Sequence, residues 1–190
     1  MKIYSTGRLA ASKRAILLGA ILATGLGSGQ AMAASQGTLG ATSTGSVTIT
    51  ASVPNRARIT GLSDVAFTNQ DPATAASNAQ SVCVWSNTAT KAYTITATGS
   101  GTASAFTLSD GATAVPYSVE WASSSGQTSG SALTTGTASA SLTSTATSQN
   151  CASGPAASAS LVVGIATADL GTMSAGSSYT GTLTLLVTPQ

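Results

Sequence analysis

Few residues in this chain could do chemistry, and their spacing points away from catalysis. There is no histidine, so neither a Ser-His-Asp nor a Cys-His arrangement can be assembled. Five carboxylates are present, Asp64, Asp71, Asp110, Glu120 and Asp169. A glycosidase-type acid/base pair would need two of them held together across a cleft. Nothing in their spacing favours such a pair, and Asp110 before Gly111 reads as a turn residue. Lys91 would be a nucleophile only if buried and desolvated. It follows Asn87-Thr88-Ala89-Thr90, which reads as a loop. No Gly-rich phosphate loop, calcium-loop acid pattern or CxxC is found. The expectation is a protein that is not an enzyme and carries no cofactor and no metal.

Two cysteines, Cys83 and Cys151, are the remaining reactive groups. In an exported chain two cysteines admit one intramolecular pairing, and a disulfide is expected. Zinc would need more nitrogen and sulfur ligands than a chain without histidine supplies. Trp85, Tyr93, Tyr117 and Trp121 could stack on a sugar ring. Each falls on the apolar face of an expected strand, where an aromatic side chain is ordinarily core. Trp85, two residues from Cys83, reads as a tryptophan packed near the disulfide.

Export itself is read from the N-terminus. Lys2, Arg8, Lys13 and Arg14 precede the apolar run Ala15 to Leu26, and Ala31-Met32-Ala33 has the small-x-small form of a cleavage site. Residues 1–33 are therefore expected to be a secretory signal peptide, since the run is shorter than the ~18 residues a membrane span needs. Cleavage removes four of the seven basic residues and leaves Arg56, Arg58 and Lys91 against all five acids. The remainder carries a small acidic excess and no basic surface for nucleic acid.

The elements that position these residues read as strands. Charged residues are only 6% of the chain, so Ser, Thr, Asn, Gln and Gly must carry solubility. They alternate with apolar residues in short blocks, the period of a strand with one solvated face. Threonine suits that face. The expected strands are Val47–Val53, Ala57–Thr60, Asp64–Phe67, Ser81–Ser86, Ala92–Thr98, Ala105–Leu108, Val115–Trp121, Ala138–Leu142, Ala159–Ala166 and Tyr179–Thr188. In SVCVWS, Val82 and Val84 share one face and Cys83 and Trp85 the other, as in a strand buried on both sides. Pro116 lacks an amide donor and belongs at an edge or a bulge. Asn69 to Gln80 reads as a crossover loop or short helix, and Ala34 to Gly45 as a small, polar lead without structure of its own. Many short strands separated by Gly-containing turns imply an all-β sandwich.

The strands at either end match. Val47, Ile49, Ala51 and Val53 line one face of SVTITASV; Leu183, Leu185 and Val187 line one face of YTGTLTLLVTP. With the signal peptide, the block VPYSVEW and the C-terminal SSYTGTLTLLVTPQ, this order resembles the pilin subunits of chaperone–usher fimbriae. It is most similar to the alternative class, with likeness to the spore-coat-U-like archaic type. The resemblance implies an incomplete immunoglobulin-like β-sandwich over residues 55–190, preceded by an extension, 34–54, that carries a donor strand. Val47, Ile49, Ala51 and Val53 would be the donor plugs, and Leu183, Leu185 and Val187 a wall of the acceptor groove. The implied partners are other pilin subunits in a head-to-tail homopolymer, a periplasmic chaperone, an outer-membrane usher and a host or surface receptor. The implied destination is the cell surface, reached through the periplasm. Two other readings stay open: a self-complete secreted β-sandwich acting as an adhesion or binding module, and a spore-coat-U-like coat protein.

Overall fold

The computed structural model describes residues 34–190; the expected signal peptide lies outside the described residues. The described residues divide into two units, 34–51 and 52–190. In the first, Ser35 and Ser46 exchange backbone hydrogen bonds of 2.8 and 2.9 Å, closing a loop where the sequence suggested an unstructured lead.

The second unit is built from β1 (Ala57–Thr60), β2 (Ala76–Ser86), β3 (Ala92–Gly99), β4 (Thr107–Ser109), β5 (Ala114–Pro116), β6 (Ser118–Ala122), β7 (Ser131–Ala132), β8 (Leu142–Thr143), β9 (Ala159–Ile165), α1 (Thr167–Leu170) and β10 (Leu183–Pro189). All pairings are antiparallel. One sheet has the order β1-β2-β9-β6-β7, a second β10-β3-β8, and a third is the β4-β5 hairpin. Among the described residues helix is confined to the single turn α1 and a 3-10 turn at Thr102–Ser104. Residues 52–190 are thus all-β, as their two-residue periodicity requires.

The sheets share one apolar core. Val82 and Val84 of β2, Tyr93, Ile95 and Ala97 of β3, Val119 and Trp121 of β6, and Leu161, Val163 and Ile165 of β9 meet there. Each fully buried aliphatic side chain contributes about 1.5–3 kcal/mol. The indole N–H of Trp121 donates to the Tyr93 hydroxyl at 3.2 Å, which satisfies two buried polar groups between the sheets. The opposite face of β2 carries the second apolar group, Cys83, Cys151 and Ala146, with Trp85 against it. Cys83 and Cys151 form the expected disulfide. Nearby, Ser158 Oγ accepts from the Val84 amide and donates to the Val84 carbonyl, both at 2.9 Å. One buried hydroxyl thereby occupies both backbone groups of Val84.

Several expected strands are corrected. Residues 47–56 belong to no strand; Pro54 and Arg56 bond to Asn87, just past the end of the β1–β2 ladder. Asp64–Phe67 is likewise extended without strand pairing, although Val65 and Phe67 still pack on the core. The second half of the expected 69–80 loop is the start of β2, paired with β9 from Ala76 onward. The block Val115–Trp121 is two strands in two sheets. It breaks at Tyr117, whose amide donates to the Phe106 carbonyl at 2.9 Å, directly after Pro116, which has no amide to donate. Ala105–Leu108 shifts to Thr107–Ser109, and Ala138–Leu142 reduces to a bridge at Ala138 and the short β8. The C-terminal strand begins at Leu183, four residues later than expected. Before it, Thr180 exchanges hydrogen bonds of 2.9 and 3.0 Å with Ser109 instead.

Candidate strand-binding cleft

β10 pairs with β3 along all seven of its residues, from Leu183↔Gly99 to Pro189↔Tyr93. It is the outermost strand of its sheet. Its other edge therefore presents backbone N–H and C=O groups that no strand among the described residues takes up. The remaining outer strands of the two main sheets are blunt: β1 has four residues, β7 and β8 two each. A long, flat edge is a template for strand addition, and β10 is the long one here.

Beside β10 lies a cleft of about 1180 Å³. Its floor is core: Leu161, Val163 and Ile165 of β9, with Leu108 and Tyr117. One wall is formed by residues 62–70, the other by residues 173–183 and Leu185. Neither wall is a strand before Leu183, the second turning at Ala175-Gly176, and Val65, Phe67, Met173, Tyr179, Leu183 and Leu185 all touch the core as partly buried side chains.

Three local devices set the walls. The first wall is held by Gln80, whose side-chain amide accepts from the Ser63 N–H at 2.8 Å and donates to the Ser63 carbonyl at 3.0 Å. The second is fastened to the tip of the β4-β5 hairpin through the Thr180–Ser109 pair. There the Tyr179 hydroxyl accepts from the Ser174 amide at 3.0 Å and lies beside the Asp110 carboxylate. Asp110 Oδ1 accepts from the amides of Thr113 at 2.7 Å and Ala112 at 3.0 Å. These backbone donors, Thr113 first, hold its carboxyl below the usual range, with Tyr179 a lesser contributor. The third device is Tyr117 itself. Its side chain is 8% exposed, its ring lies 5.7 Å from that of Phe106, and its hydroxyl is buried without a hydrogen-bond partner. Burial pushes its acidity toward higher pH.

The residues singled out from sequence are placed as follows. Val47, Ile49 and Val53 are 70%, 87% and 78% exposed, and Ala51 is exposed too. Large aliphatic side chains at that exposure, spaced two apart, are an apolar stripe without a cover. Leu183 and Leu185 line the cleft; Val187 continues the same half-buried face on the core but lies beyond the cleft lining. Tyr93, Tyr117 and Trp121 are buried core residues, and Trp85 packs by the disulfide. Lys91 sits in the turn between β2 and β3, where its amide donates to the Thr88 carbonyl. Among the described residues no three His, Cys, Asp or Glu side chains gather as a metal site would require. The 62–70 wall, Met173 and Tyr179 were not anticipated as cleft residues. Only the alternation of Val65 and Phe67 signalled an apolar face there.

No family model matches the chain, and comparison with curated proteins and with solved structures finds no match either.

Proposed function

We propose that this chain is the structural subunit of a surface fimbria, polymerised by strand addition between copies. In this reading residues 55–190 are an immunoglobulin-like sandwich that lacks one strand. The cleft is the vacancy, and residues 47–53 of the next subunit fill it. One observation carries the reading: β10 has an unpaired outer edge, and its first half, through Leu183 and Leu185, borders a cleft floored by core side chains. The uncovered stripe Val47, Ile49, Ala51 and Val53 supplies a segment of matching period.

The chemistry of such a joint is simple. An inserted strand takes up the unpaired N–H and C=O groups of β10, while every second side chain enters the cleft. Burying two valines, an isoleucine and an alanine contributes several kcal/mol at about 25 cal/mol per Å². Because the donor and the acceptor are different surfaces, the contact does not close on itself and extends into a filament. The reading includes a periplasmic chaperone that occupies the cleft before assembly and an outer-membrane usher that passes subunits outward. Secretion through the signal peptide belongs to the same proposal.

The test is capture of a synthetic peptide spanning residues 46–54 by the purified exported chain. Wild-type peptide should bind, and a peptide with Ile49→Asp should not. A chain that ignores both peptides, stays monomeric and unfolds reversibly without a chaperone would instead be a self-complete secreted module.

A further inference from the structure

The few charges of residues 34–190 are segregated by end. All three cations lie where β2 finishes and β3 begins. Arg58 stands opposite Trp85, near the end of β2. Arg56 is tied to Asn87 through its amide at 2.6 Å. Lys91 closes the turn that leads into β3. Three of the five anions lie at the other end, where β2 starts and β9 finishes. Asp71 precedes β2 by five residues, Asp169 is in α1 directly after β9, and Asp110 is at the tip of the β4-β5 hairpin, next to the Thr180–Ser109 bridge. Asp64 and Glu120 fall between, Asp64 beside the Ser63–Gln80 contact and Glu120 opposite Val162 in mid-sheet. The eleven residues of β2 separate the two ends by roughly 33 Å at about 3.3 Å per residue. That is about four Debye lengths at physiological salt, so the two sets cannot neutralise each other within one subunit.

Within residues 52–190, Pro54, where the donor segment is attached, and the cleft end bearing Leu183 lie at opposite ends as well. Asn87 Nδ2 donates to the Pro54 carbonyl at 2.9 Å, so the segment 47–53 joins the body at the cationic end. The cleft lining includes Pro72, Leu170, Met173 and Tyr179, which brackets Asp71, Asp169 and the Asp110 contact. A donor strand entering antiparallel to β10 sets Val53 near Leu183. Arg56, three residues on, then lies within about 10 Å of that end.

We propose that head-to-tail assembly is steered by this polarity: the end of one copy bearing Arg56, Arg58 and Lys91 docks on the end of the next bearing Asp71, Asp110 and Asp169. The inference rests on the strand-exchange reading and adds its orientation, because the opposite entry would place Arg56 and Arg58 at the cationic end of the acceptor. With so few other charges on the surface, opposite ends attract and like ends repel over the whole approach.

Association of the purified exported chain, followed by light scattering, tests it. At about 0.02 M salt the rate should exceed that at about 0.5 M salt by about tenfold. R56E/R58E should abolish that low-salt advantage. So should D71N/D110N/D169N, in which each asparagine keeps an acceptor oxygen for the turn amides, so that loss of folding does not confound the result. The peptide of residues 46–54 carries no charge, and its capture should be the same in all three proteins at both salt concentrations. Peptide capture with a salt-independent wild-type association rate, or with neither variant altered, overturns the polarity. Salt-dependent association abolished by both variants, without peptide capture, retains polar docking and overturns strand exchange.

Discussion

The side chain of Gln80 holds the backbone of Ser63 on both sides, accepting its N–H at 2.8 Å and donating to its carbonyl at 3.0 Å. A primary amide carries a donor and an acceptor in one plane, so it can stand in for a peptide group of a neighbouring strand. Ser63 thereby stays anchored to β2 at the cleft although no strand pairs with residues 62–68.

Removing that stand-in should loosen the wall without unfolding the protein. Gln80→Ala is expected to cost about 1 kcal/mol in denaturant unfolding, because the freed backbone groups are exposed and can turn to water. Amide exchange at Ser63 should accelerate well beyond that of β2. Unchanged exchange at Ser63 would show that the wall is held by Val65 and Phe67 alone.

The two faces of β10 should separate in function. Leu185 lines the cleft and Leu186, 59% exposed, points the other way. Leu185→Ser is expected to weaken capture of the 46–54 peptide by tenfold or more, about 1.4 kcal/mol. Leu186→Ser should leave it within about twofold. Titration calorimetry with the same peptide compares the two.

Tyr117→Phe should stabilise the fold. The Tyr117 hydroxyl is buried without a partner, and an unsatisfied buried group of this kind costs about 1–3 kcal/mol. Phenylalanine keeps the ring and its contact with Phe106. The expected change is a higher urea midpoint at unchanged slope; a lower midpoint would mean that the hydroxyl has a partner in solution.

The disulfide should matter more than any single core contact. Cys83 and Cys151 are 68 residues apart, and closing a loop of that length is worth about 4 kcal/mol in the chain-entropy model. A Cys83→Ser/Cys151→Ser double variant should show that loss in guanidinium unfolding. A loss under about 1 kcal/mol would point to a compact unfolded chain.

Alkaline pH should unfold the protein through its buried phenols. Burial raises the pKa of Tyr93, against a smaller opposing effect of its Trp121 bond, and that of Tyr117. A raised value in the folded state means that the folded chain holds protons that the unfolded chain releases. The stabilisation is complete below the ordinary tyrosine value near pH 10 and is lost as pH climbs through the folded values. Unfolding midpoints should therefore hold steady to about pH 9.5 and fall above it, and Tyr93→Phe should flatten the fall.

Much of this protein is determined by sequence alone. A two-residue period in AYTITAT, SLVVGIA and LTLLV specifies half-buried or buried strands, because side chains alternate across any strand whatever it pairs with. The two-sided burial of Cys83 and Val84 and the pairing of the only two cysteines follow from the same local facts. What the tertiary structure decided is which strands have neighbours. Asp64–Phe67 and Val115–Trp121 carry the right period, yet one is left unpaired and the other is divided between two sheets. Strand pairing is a contact between distant segments, and period does not encode a partner. For the same reason the free edge of β10, the cleft beside it and the separation of Arg56 from Asp110 to opposite ends arise only once the order of the strands is set.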